Sequence, residues 1–502
     1  MQIDGEGLTL EQFVKVSRQF EEVELGSADR IEDSHRIVKE IAEGEKLVYG
    51  ITTGFGEFAH IRISQEQRKT LQVNLIRSHA CGVGKPLSEE EVRGAMLLRA
   101  NTLAKGNSGA RVEVVERLIE MLNREVYPFV PEKGSVGSSG DLAPLAHMAL
   151  VLIGEGRGFL GGEVRPGIEC LKQAGIEPIA LEEKEGLALI NGTPVMTSIG
   201  ALALNDAITL LKASEIACAM SIEALLASRA FLDGRVHEAR GIEGQIKSAA
   251  NLRRLVEGSE VIESHTACRT VQDAYSLRCA PQVFGIAHET LAFCRRLVER
   301  EMNASCDNPL VFADTGEVIS AGNFHGEPMA QVMDFLSITT SELGSISERR
   351  IFRYMDEHLS NLPAALVEDS GLNNGFMIAQ YVAAALASEN KSLSHPASVD
   401  SIPTAANQED HVSMGTIAAR KAREVVWNVK RIVAIELLCA AQALDFRKPL
   451  SFGKGSEIAY EWMRERVGFV EEDRSLSGDI EGIAGALENL VAAVESEIGL
   501  EL

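Results

Sequence analysis

The sequence predicts a predominantly α-helical protein, and three observations support this prediction. Long stretches place apolar residues at helical spacing, the clearest running from Thr193 to Ser228. Two capping-box patterns, Ser64 to Gln67 and Ser88 to Glu91, mark helix starts. Only two short segments, one around Gly161 and one around Gly316, have the turn-flanked pattern of β-hairpins. Strands are therefore expected to form a minor part of the fold.

The predicted elements follow one another from the N-terminus with helices dominant. The helix after Ser64 closes at Ser78-His79-Ala80, and the helix after Ser88 has apolar residues at helical spacing up to Ala100. A further helix is predicted between residues 111 and 125. The two hairpins join Gly158–Leu160 to Glu163–Val164 and Leu310–Phe312 to Val318–Ile319.

The stretch from Thr193 to Ser228 is long and apolar enough to suggest a membrane span. It contains Asp206, Lys212 and Glu215, and one charge in lipid costs at least about 2.5 kcal/mol. We therefore expect a buried bundle helix, and no interaction with a membrane. Comparable patterns occupy Pro281–Met302, Glu327–Tyr354, Phe376–Ser392 and His411–Leu444. Helices of this length pack side by side, and such a bundle often continues across subunit contacts, so an oligomer is expected.

Composition limits the class of protein. A chain of 502 residues exceeds the usual limit of about 250 to 300 residues for one core, so several structural regions are expected. The formal charge of −24 argues against nucleic acid as a partner. Eight scattered cysteines without a Cys-x-x-Cys pair suggest a reducing interior, and no signal peptide is visible, which together predict a cytoplasmic location. No metal-binding motif is present, so no bound metal is expected.

A glycine-rich loop from Gly134 to His147 is the central feature of the sequence. Gly134, Gly137 and Gly140 allow positive φ angles and close backbone approach. A phosphate-binding loop is disfavoured, because no Gly-Lys-Ser/Thr follows and no ribose-binding acid is suitably placed. A hydrolase elbow is also disfavoured, because Ser139 does not lie in Gly-x-Ser-x-Gly.

Ser138-Ser139-Gly140 within this loop can form an electrophile from its own backbone. The Gly140 nitrogen can attack the Ser138 carbonyl carbon, since glycine has no Cβ in the way. Loss of water closes a five-membered ring, and loss of the Ser139 hydroxyl as a second water leaves an exocyclic methylidene. The segment resembles the signature of the aromatic amino acid ammonia-lyases, in which Ala-Ser-Gly forms a 4-methylidene-imidazol-5-one (MIO) ring. Ser138 replaces the alanine here, but ring closure uses only the carbonyl group of that residue.

Tyr49 stands at the entrance of a second glycine-rich loop, Tyr49 to Gly56. By itself Tyr49 reads as an amphipathic residue that covers a core. The loop resembles the lyase loop whose tyrosine abstracts the substrate's β-proton, and such a tyrosine needs its pKa lowered by nearby positive potential.

His79 and Asn191 each have one structural and one functional interpretation. His79 can be a capping or surface group at a helix end, and Asn191 in Leu189–Thr193 can cap the next helix. The resemblance implies that His79 contacts the substrate side chain and helps to select it. Ser-His-Ala at residues 78–80 resembles the form found in histidine ammonia-lyases. By resemblance also, Asn191 bonds near the MIO ring and the substrate amine.

The segment from Gln272 to Gln282 is dense in polar groups and precedes a predicted long helix. A structural network is one explanation. The resemblance implies that Gln272 and Tyr275 line the site and that Arg278 grips the substrate carboxylate, which suits its planar fork. It also implies that Phe324 packs beside the ring, while His325 is expected to be structural.

Glu409, in the segment Asn407 to Met414, bears on the choice of substrate. Alone, two acids followed by His411 could start a helix. Gln-Glu-Asp-His at residues 408–411 resembles the histidine ammonia-lyases, and a carboxylate facing an imidazole can hold its ring N–H. Histidine is therefore the expected substrate.

The combined resemblance implies the helical fold of the fumarase/aspartase-like superfamily. It implies an N-terminal region that bears the MIO group (1–200), a central bundle (201–370) and a C-terminal helical region (371–502), assembled as a homotetramer with shared active sites. The implied reaction converts L-histidine to trans-urocanate and ammonia without an external cofactor. The substrate amine adds at Ser139, Tyr49 removes the proton, and Tyr275 and Glu409 assist. Alternatives are a tyrosine or phenylalanine ammonia-lyase, an aminomutase, and a non-catalytic scaffold in which Ser138-Ser139-Gly140 stays uncyclised.

Overall fold

The computed structural model describes residues 1–44, 46–54, 56–265 and 271–501, and this part of the chain is mainly helical. The helices, in chain order, are α1 (Leu10–Gln19), α2 (Asp29–Glu43), α3 (Gln65–His79), α4 (Glu89–Ala104), α5 (Val112–Asn123), α6 (Leu142–Leu152), α7 (Gly167–Ala174), α8 (Glu185–Ile190), α9 (Pro194–Ala224), α10 (Gly234–Arg240), α11 (Glu243–Leu255), α12 (Glu260–Glu263), α13 (Tyr275–Arg278), α14 (Ala280–Met302), α15 (Glu327–Met355), α16 (Glu357–Ser360), α17 (Met377–Leu393), α18 (Gly415–Asp445), α19 (Lys454–Arg464), α20 (Ser477–Gly485) and α21 (Leu487–Glu495).

Short strands form small sheets between the helices. They are β1 (Gln2–Ile3), β2 (Glu24–Leu25), β3 (Val83–Pro86), β4 (Tyr127–Pro128), β5 (Pro131–Lys133), β6 (Arg157–Leu160), β7 (Glu163–Pro166), β8 (Leu310–Phe312) and β9 (Glu317–Ile319). The predicted hairpins β6–β7 and β8–β9 are confirmed, with Leu160 opposite Glu163 and Leu310 opposite Ile319. The strands β1 to β5 were not predicted, because segments of two to four residues are too short to show alternation.

The chain forms two compact units, each built from three separate stretches. The first unit comprises Met1–Ala203, Arg295–Asp334 and Pro396–Arg420; the second comprises Leu204–Cys294, Phe335–His395 and Lys421–Leu502. The division into regions 1–200, 201–370 and 371–502 stays a prediction.

The apolar helix α9 is buried, as predicted from its interrupting charges. It is the one helix in the described part of the chain that is long and apolar enough to cross a membrane, and 78% of its most apolar window is buried inside the protein. Its charged residues have partners: Lys212 Nζ lies 2.5 Å from Glu495 Oε1, and Glu215 Oε1 lies 3.0 Å from His288 Nε2. Pairing removes the cost of burying an isolated charge, so the helix fits a protein core.

The two predicted capping boxes differ in outcome. At α4, Ser88 Oγ accepts from the Glu91 backbone N–H and the Glu91 side chain accepts from the Ser88 N–H, which confirms the box. Helix α3 begins where predicted, but the predicted capping box is wrong, because the Ser64 side chain accepts no hydrogen bond from the backbone of the first turn. Ser64 Oγ donates to Gln67 Oε1 instead, at 3.1 Å, because two polar side chains three residues apart can also bond to each other.

Helix α4 lies at the centre of the first unit. It packs against α1 and α5, and every residue from Glu91 to Ala104 is buried, including Arg93 and Arg99. A helix buried on all sides must satisfy its polar side chains internally, so Arg93 and Arg99 donate hydrogen bonds to backbone carbonyls within the unit.

Candidate active site

The loop that contains Ser138, Ser139 and Gly140 joins β5 to α6. Its three glycines have φ values of +141° at Gly134, +68° at Gly137 and +72° at Gly140, which confirms the predicted left-handed backbone. Ser138 and Gly140 are buried and Ser139 is half-buried. The loop therefore presents Ser139 while its two neighbours are enclosed.

Gly140 and Ser139 are held against the turn at Gly192. A Cβ on Gly140 would lie 1.9 Å from the Gly192 carbonyl oxygen, so only glycine fits. The Ser139 carbonyl oxygen accepts two hydrogen bonds, from the Gly192 N–H at 3.2 Å and from Asn191 Nδ2 at 3.2 Å. Two donors on one carbonyl stabilise negative charge that develops on its oxygen. Asn191 Oδ1 is buried and lacks a hydrogen-bond partner among the described residues, which leaves it as an acceptor for a bound ligand.

Asp141 is a site residue that the sequence analysis missed. Its fully buried carboxylate accepts from the Met196 N–H at 2.8 Å, from Ser135 Oγ at 3.1 Å and from Thr416 Oγ1 at 2.5 Å. Burial raises the pKa of Asp141 to about 6, although these hydrogen bonds act in the opposite direction. The sequence shows only an acid directly after Gly140, and nothing nearby in the chain indicates its partners Met196 and Thr416.

The raised pKa of Asp141 predicts a pH-dependent contribution to stability. A carboxyl whose pKa is higher in the folded state than its ordinary value of about 3.9 stabilises the fold most below that value, and this contribution is lost as the pH rises towards 6. Relative to Asp141→Asn, the wild-type free energy of unfolding is expected to fall by about 1 kcal/mol between about pH 5 and about pH 7.5 in urea titrations. Glu301, whose pKa burial also raises, titrates in both proteins. Parallel curves for the two proteins would contradict the assignment.

Glu409 faces Ser139. Its Oε1 accepts from Ser139 Oγ at 2.9 Å, and its Oε2 accepts from Thr404 Oγ1 at 2.5 Å. Between Thr404 and Glu409 the backbone makes a left-handed turn, with φ values of 48°, 53° and 71° at residues 405–407. Such residues cost about 1 to 2 kcal/mol each unless their surroundings hold them. The alternative interpretation of a helix start is wrong, because α18 begins only at Gly415.

The segment before α18 is not helical, and it is hydrogen-bonded to the loop of Ser138. Ser413 Oγ donates to the Gly137 carbonyl at 3.0 Å, and the Met414 N–H donates to the Val136 carbonyl at 2.8 Å. The Gly326 N–H also donates to the Gly137 carbonyl, at 3.3 Å, which brings the half-buried Phe324 and its loop to the same place.

His325 links the two loops that approach Ser139. Its Nε2 lies 3.1 Å from the His411 carbonyl oxygen, and its Nδ1 accepts from the Glu327 N–H at 3.3 Å. Since a carbonyl oxygen only accepts, Nε2 carries the hydrogen. This arrangement agrees with the structural role expected for His325.

His79 is the last residue of α3, as predicted. Its Nδ1 lies 2.8 Å from the Leu75 carbonyl oxygen, so Nδ1 donates and Nε2 is the acceptor of the neutral ring. Burial lowers the pKa of His79, while the negative charge of Glu409 acts in the opposite direction. His79 and Glu409 therefore lie within electrostatic range of each other.

Tyr49 has a pKa that differs from the expectation. Burial raises the pKa of Tyr49, and the negative charges of Glu409 and Asp307 raise it further, whereas the hydrogen bond that its hydroxyl accepts from the Gly56 N–H, at 3.2 Å, lowers it. The predicted lowering of the Tyr49 pKa is wrong, because burial raises it and two carboxylates within range of the hydroxyl raise it further. Tyr49 is therefore protonated at neutral pH in this arrangement. Phe55, in the same loop, lies outside the described residues.

Gln272, Tyr275 and Arg278 form a cluster in the second unit. Arg278 Nη2 donates to Gln272 Oε1 at 2.9 Å, and the guanidinium carbon lies 4.6 Å from the centre of the Tyr275 ring. Tyr275 is 69% exposed, so this cluster is open to a ligand. The remaining site residues predicted from the sequence are in the first unit: Tyr49, His79, Ser138, Ser139, Gly140, Asn191, Phe324 and Glu409. Among the described residues, no group of three or more His, Cys, Asp and Glu side chains could hold a metal ion.

Comparison with known proteins assigns the chain to a family. Residues 8–465 match the aromatic amino acid lyase family. A histidine ammonia-lyase of Alkaliphilus oremlandii is 53% identical over 503 residues, which cover 99% of each chain. The crystal structure of histidine ammonia-lyase from Trypanosoma cruzi has a TM-score of 0.92 at 42% identity and covers 99% of this chain and 95% of that chain. Tyrosine aminomutase from Streptomyces globisporus has a TM-score of 0.94 at 40% identity and covers 100% of this chain and 99% of that chain.

These similarities extend over nearly the whole chain and confirm the predicted helical fold of the fumarase/aspartase-like superfamily. The chain therefore belongs to the aromatic amino acid lyase family, and it is a carbon–nitrogen lyase.

Proposed function

We propose that this protein removes ammonia from L-histidine and releases trans-urocanate. The observation that carries the proposal is the position of Glu409, whose carboxylate faces Ser139 and acts electrostatically on His79. A carboxylate and the acceptor Nε2 of a neutral imidazole can each accept a ring N–H of a histidine substrate, and together they can hold the two N–H groups of its imidazolium form. The histidine ammonia-lyase of Alkaliphilus oremlandii, 53% identical, supports the same substrate.

Ser138, Ser139 and Gly140 fit the MIO group of the proposed reaction. Gly140 leaves no room for a Cβ, and the Ser139 carbonyl oxygen already accepts hydrogen bonds from Asn191 and Gly192. The ring would supply an electrophilic carbon for the substrate nitrogen, so no external cofactor is required. Asn191 and the Gly192 N–H would hold the carbonyl of this ring, and Asn191 Oδ1 is available to the substrate amine.

The other proposed roles follow from the chemistry of each side chain. Arg278 would bind the substrate carboxylate through its guanidinium fork, with Gln272 and Tyr275 beside it. Phe324 would pack against the ring of Ser139.

Tyr49, Tyr275 and Glu409 are the candidates for removal of the β-proton. Because burial and nearby carboxylates keep Tyr49 protonated, we assign proton removal to Glu409, whose Oε2 accepts from Thr404 and whose Oε1 faces the side-chain position of Ser139. Tyr49 is then better suited to donate a hydrogen bond than to accept the proton.

The test of the proposed substrate is a comparison of products. Purified protein is given L-histidine, L-tyrosine or L-phenylalanine, and urocanate, coumarate and cinnamate are followed by their absorbance, with β-amino acids detected by chromatography. We expect kcat/KM to be at least about 100-fold higher for histidine, because a site built to bond an imidazole leaves polar groups unpaired with the other substrates. The similarity to tyrosine aminomutase makes β-tyrosine the relevant alternative product. Formation of β-tyrosine or coumarate in place of urocanate would refute the proposal.

We propose that the protein is a homotetramer with active sites shared between subunits. In the second unit, Ile286, Phe293, Phe335 and Ile338 line an open apolar groove on α14 and α15, and Ile286 is 58% exposed. A second copy of the chain would cover this groove, and Gln272, Tyr275 and Arg278 could then serve the site of another subunit. Ile286→Glu with Ile338→Glu is expected to lower the mass seen by light scattering, whereas Val164→Glu, on β7, is the control. An unchanged mass for the double variant would contradict this interface.

We also propose a cytoplasmic location. Its support is the cysteine usage: seven cysteines in the described part of the chain are free. Fractionation of the source cells would test it, and recovery of the protein outside the cytoplasm would refute it.

A further inference from the structure

Arg99, in the buried helix α4, joins two backbone segments behind the active-site loop. Its Nη1 donates to the Asn191 carbonyl at 2.7 Å, and its Nη2 donates to the Cys306 carbonyl at 3.3 Å. The side chain is fully buried, with an exposed fraction of 0%. One rigid guanidinium therefore fixes the end of α8 and the segment before β8 at the same time.

The turn held by Arg99 is the one that contacts Ser139. Asn191 and Gly192 give the two hydrogen bonds to the Ser139 carbonyl, and the Gly192 carbonyl accepts from the Asp141 N–H at 2.7 Å. A Cβ on Gly192 would lie 2.1 Å from the Cys306 carbonyl oxygen and 3.2 Å from Arg99 Nη1. Gly192 is thus enclosed by Arg99 and Cys306 on one side and by the Ser139 loop on the other.

The opposite end of α8 is fixed to the same segment. Lys184, immediately before α8, places Nζ 2.7 Å from Asp307 Oδ2, and both side chains are fully buried. Lys184 has a φ of 73°, a conformation that a non-glycine residue keeps only when its contacts hold it. Helix α8 is therefore attached at both ends to residues 306–307, through an ion pair at one end and through Arg99 at the other.

We propose that Arg99 is the positioning residue for formation of the MIO ring. The inference rests on the proposed function, because it assumes that Ser138, Ser139 and Gly140 cyclise. In that step a bond forms between the Gly140 nitrogen and the Ser138 carbonyl carbon. One water leaves with the Ser138 carbonyl oxygen and the amide hydrogens of Ser139 and Gly140. A second water leaves with the Ser139 hydroxyl and its Cα hydrogen, and the step is redox-neutral.

Ring closure is sensitive to the position of this turn. The Gly140 nitrogen must be held close to the Ser138 carbonyl carbon, and displacement of reacting atoms by about 1 Å can slow a reaction about 100-fold. The Asn191–Gly192 turn carries both hydrogen bonds to the central carbonyl of the three residues, so a shift in the turn shifts the reacting atoms. A lysine at position 99 keeps the charge but has a single nitrogen, which does not reproduce the paired fork.

The experiment measures cyclisation of Arg99→Lys directly by intact mass, since each cyclised chain is lighter by two water molecules. We expect ring closure to slow by about 10- to 100-fold, which gives a mixture of cyclised and uncyclised chains at early times after synthesis. The matched control is Arg93→Lys. Arg93 lies on the same helix, is 2% exposed and also donates to a backbone carbonyl, that of Val16 at 2.8 Å, but it does not hold the Asn191–Gly192 turn.

The outcomes separate the inference from the proposed function. Incomplete cyclisation of Arg99→Lys, with full cyclisation of an equally destabilised Arg93→Lys, supports the inference. Full cyclisation of Arg99→Lys, or an equal deficit in both variants at matched melting temperature, overturns it. Wild-type protein that lacks the mass loss would instead refute the proposed function. If Arg99→Lys is insoluble, Arg99→Gln, which buries no charge, takes its place with the same two outcomes.

Discussion

Ser139→Ala is expected to lower histidine turnover by at least about 1,000-fold while the protein stays folded. Alanine has no hydroxyl to leave as the second water, so no methylidene can form at this position. The side chain of Ser139 is half-buried and donates to Glu409 Oε1, so its loss leaves the core of the unit intact. Urocanate absorbance measures the turnover, and circular dichroism checks the fold.

Ser138→Ala is the matched control for this prediction. Ring closure uses the carbonyl group of residue 138 and not its side chain, so this variant is expected to cyclise and to keep most of the activity. Intact mass distinguishes the two variants: Ser138→Ala loses two waters and Ser139→Ala cannot. Near-normal activity of Ser139→Ala would rule out Ser139 as the source of the electrophile.

Glu409→Gln is expected to lower kcat by about 100- to 10,000-fold. Glutamine keeps the shape of the side chain and can still accept the hydrogen bond from Thr404, but it cannot take a proton at neutral pH. KM for histidine is expected to change less than kcat, because one hydrogen bond to the imidazole can be retained. Steady-state kinetics over a range of histidine concentrations separate the two constants.

Thr404→Val provides the comparison for Glu409→Gln. It removes the hydroxyl that bonds to Glu409 Oε2 and leaves the carboxylate in place, so a loss of about tenfold in kcat is expected. If kcat fell no further in Glu409→Gln than in Thr404→Val, Glu409 would only position other groups. The β-proton would then go to Tyr49 or Tyr275.

Thr404 and Glu409 are the two ends of one left-handed turn, so Glu409→Gln and Thr404→Val affect the same local structure. Residues 405–407 all have positive φ values, a costly arrangement without glycine. The turn is closed by backbone bonds between Thr404 and Glu409 and by the hydrogen bond of the Thr404 hydroxyl. Asn407→Gly is expected to raise the free energy of unfolding slightly, because glycine adopts a positive φ angle without steric cost. The same variant is expected to leave Glu409 less ordered, because glycine makes the turn more flexible.

The sequence by itself determined the local features of this protein. Apolar spacing located the long helices, such as α9 and α15, because that signal depends only on residues within one helix. Turn residues located both hairpins, and glycine located the positive φ angle at Gly140 for the same local reason. The order of atoms in Ser138-Ser139-Gly140 was enough to predict a chemistry, since that chemistry involves three consecutive residues.

Only the tertiary structure decided which distant residues meet at Ser139. In the sequence, nothing distinguishes Arg99 from other polar residues in an apolar helix. Its hydrogen bonds go to the carbonyls of Asn191 and Cys306, which lie about 90 and 200 residues away along the chain. Asp141 and Thr404 gave no local signal of their contacts with Met196 and Glu409. The pKa of Tyr49 rises instead of falling because burial and the charges of Glu409 and Asp307 are set by the fold. Hydrogen bonds and fields between segments far apart in sequence arise only when the chain has folded, so no pattern in one stretch can encode them.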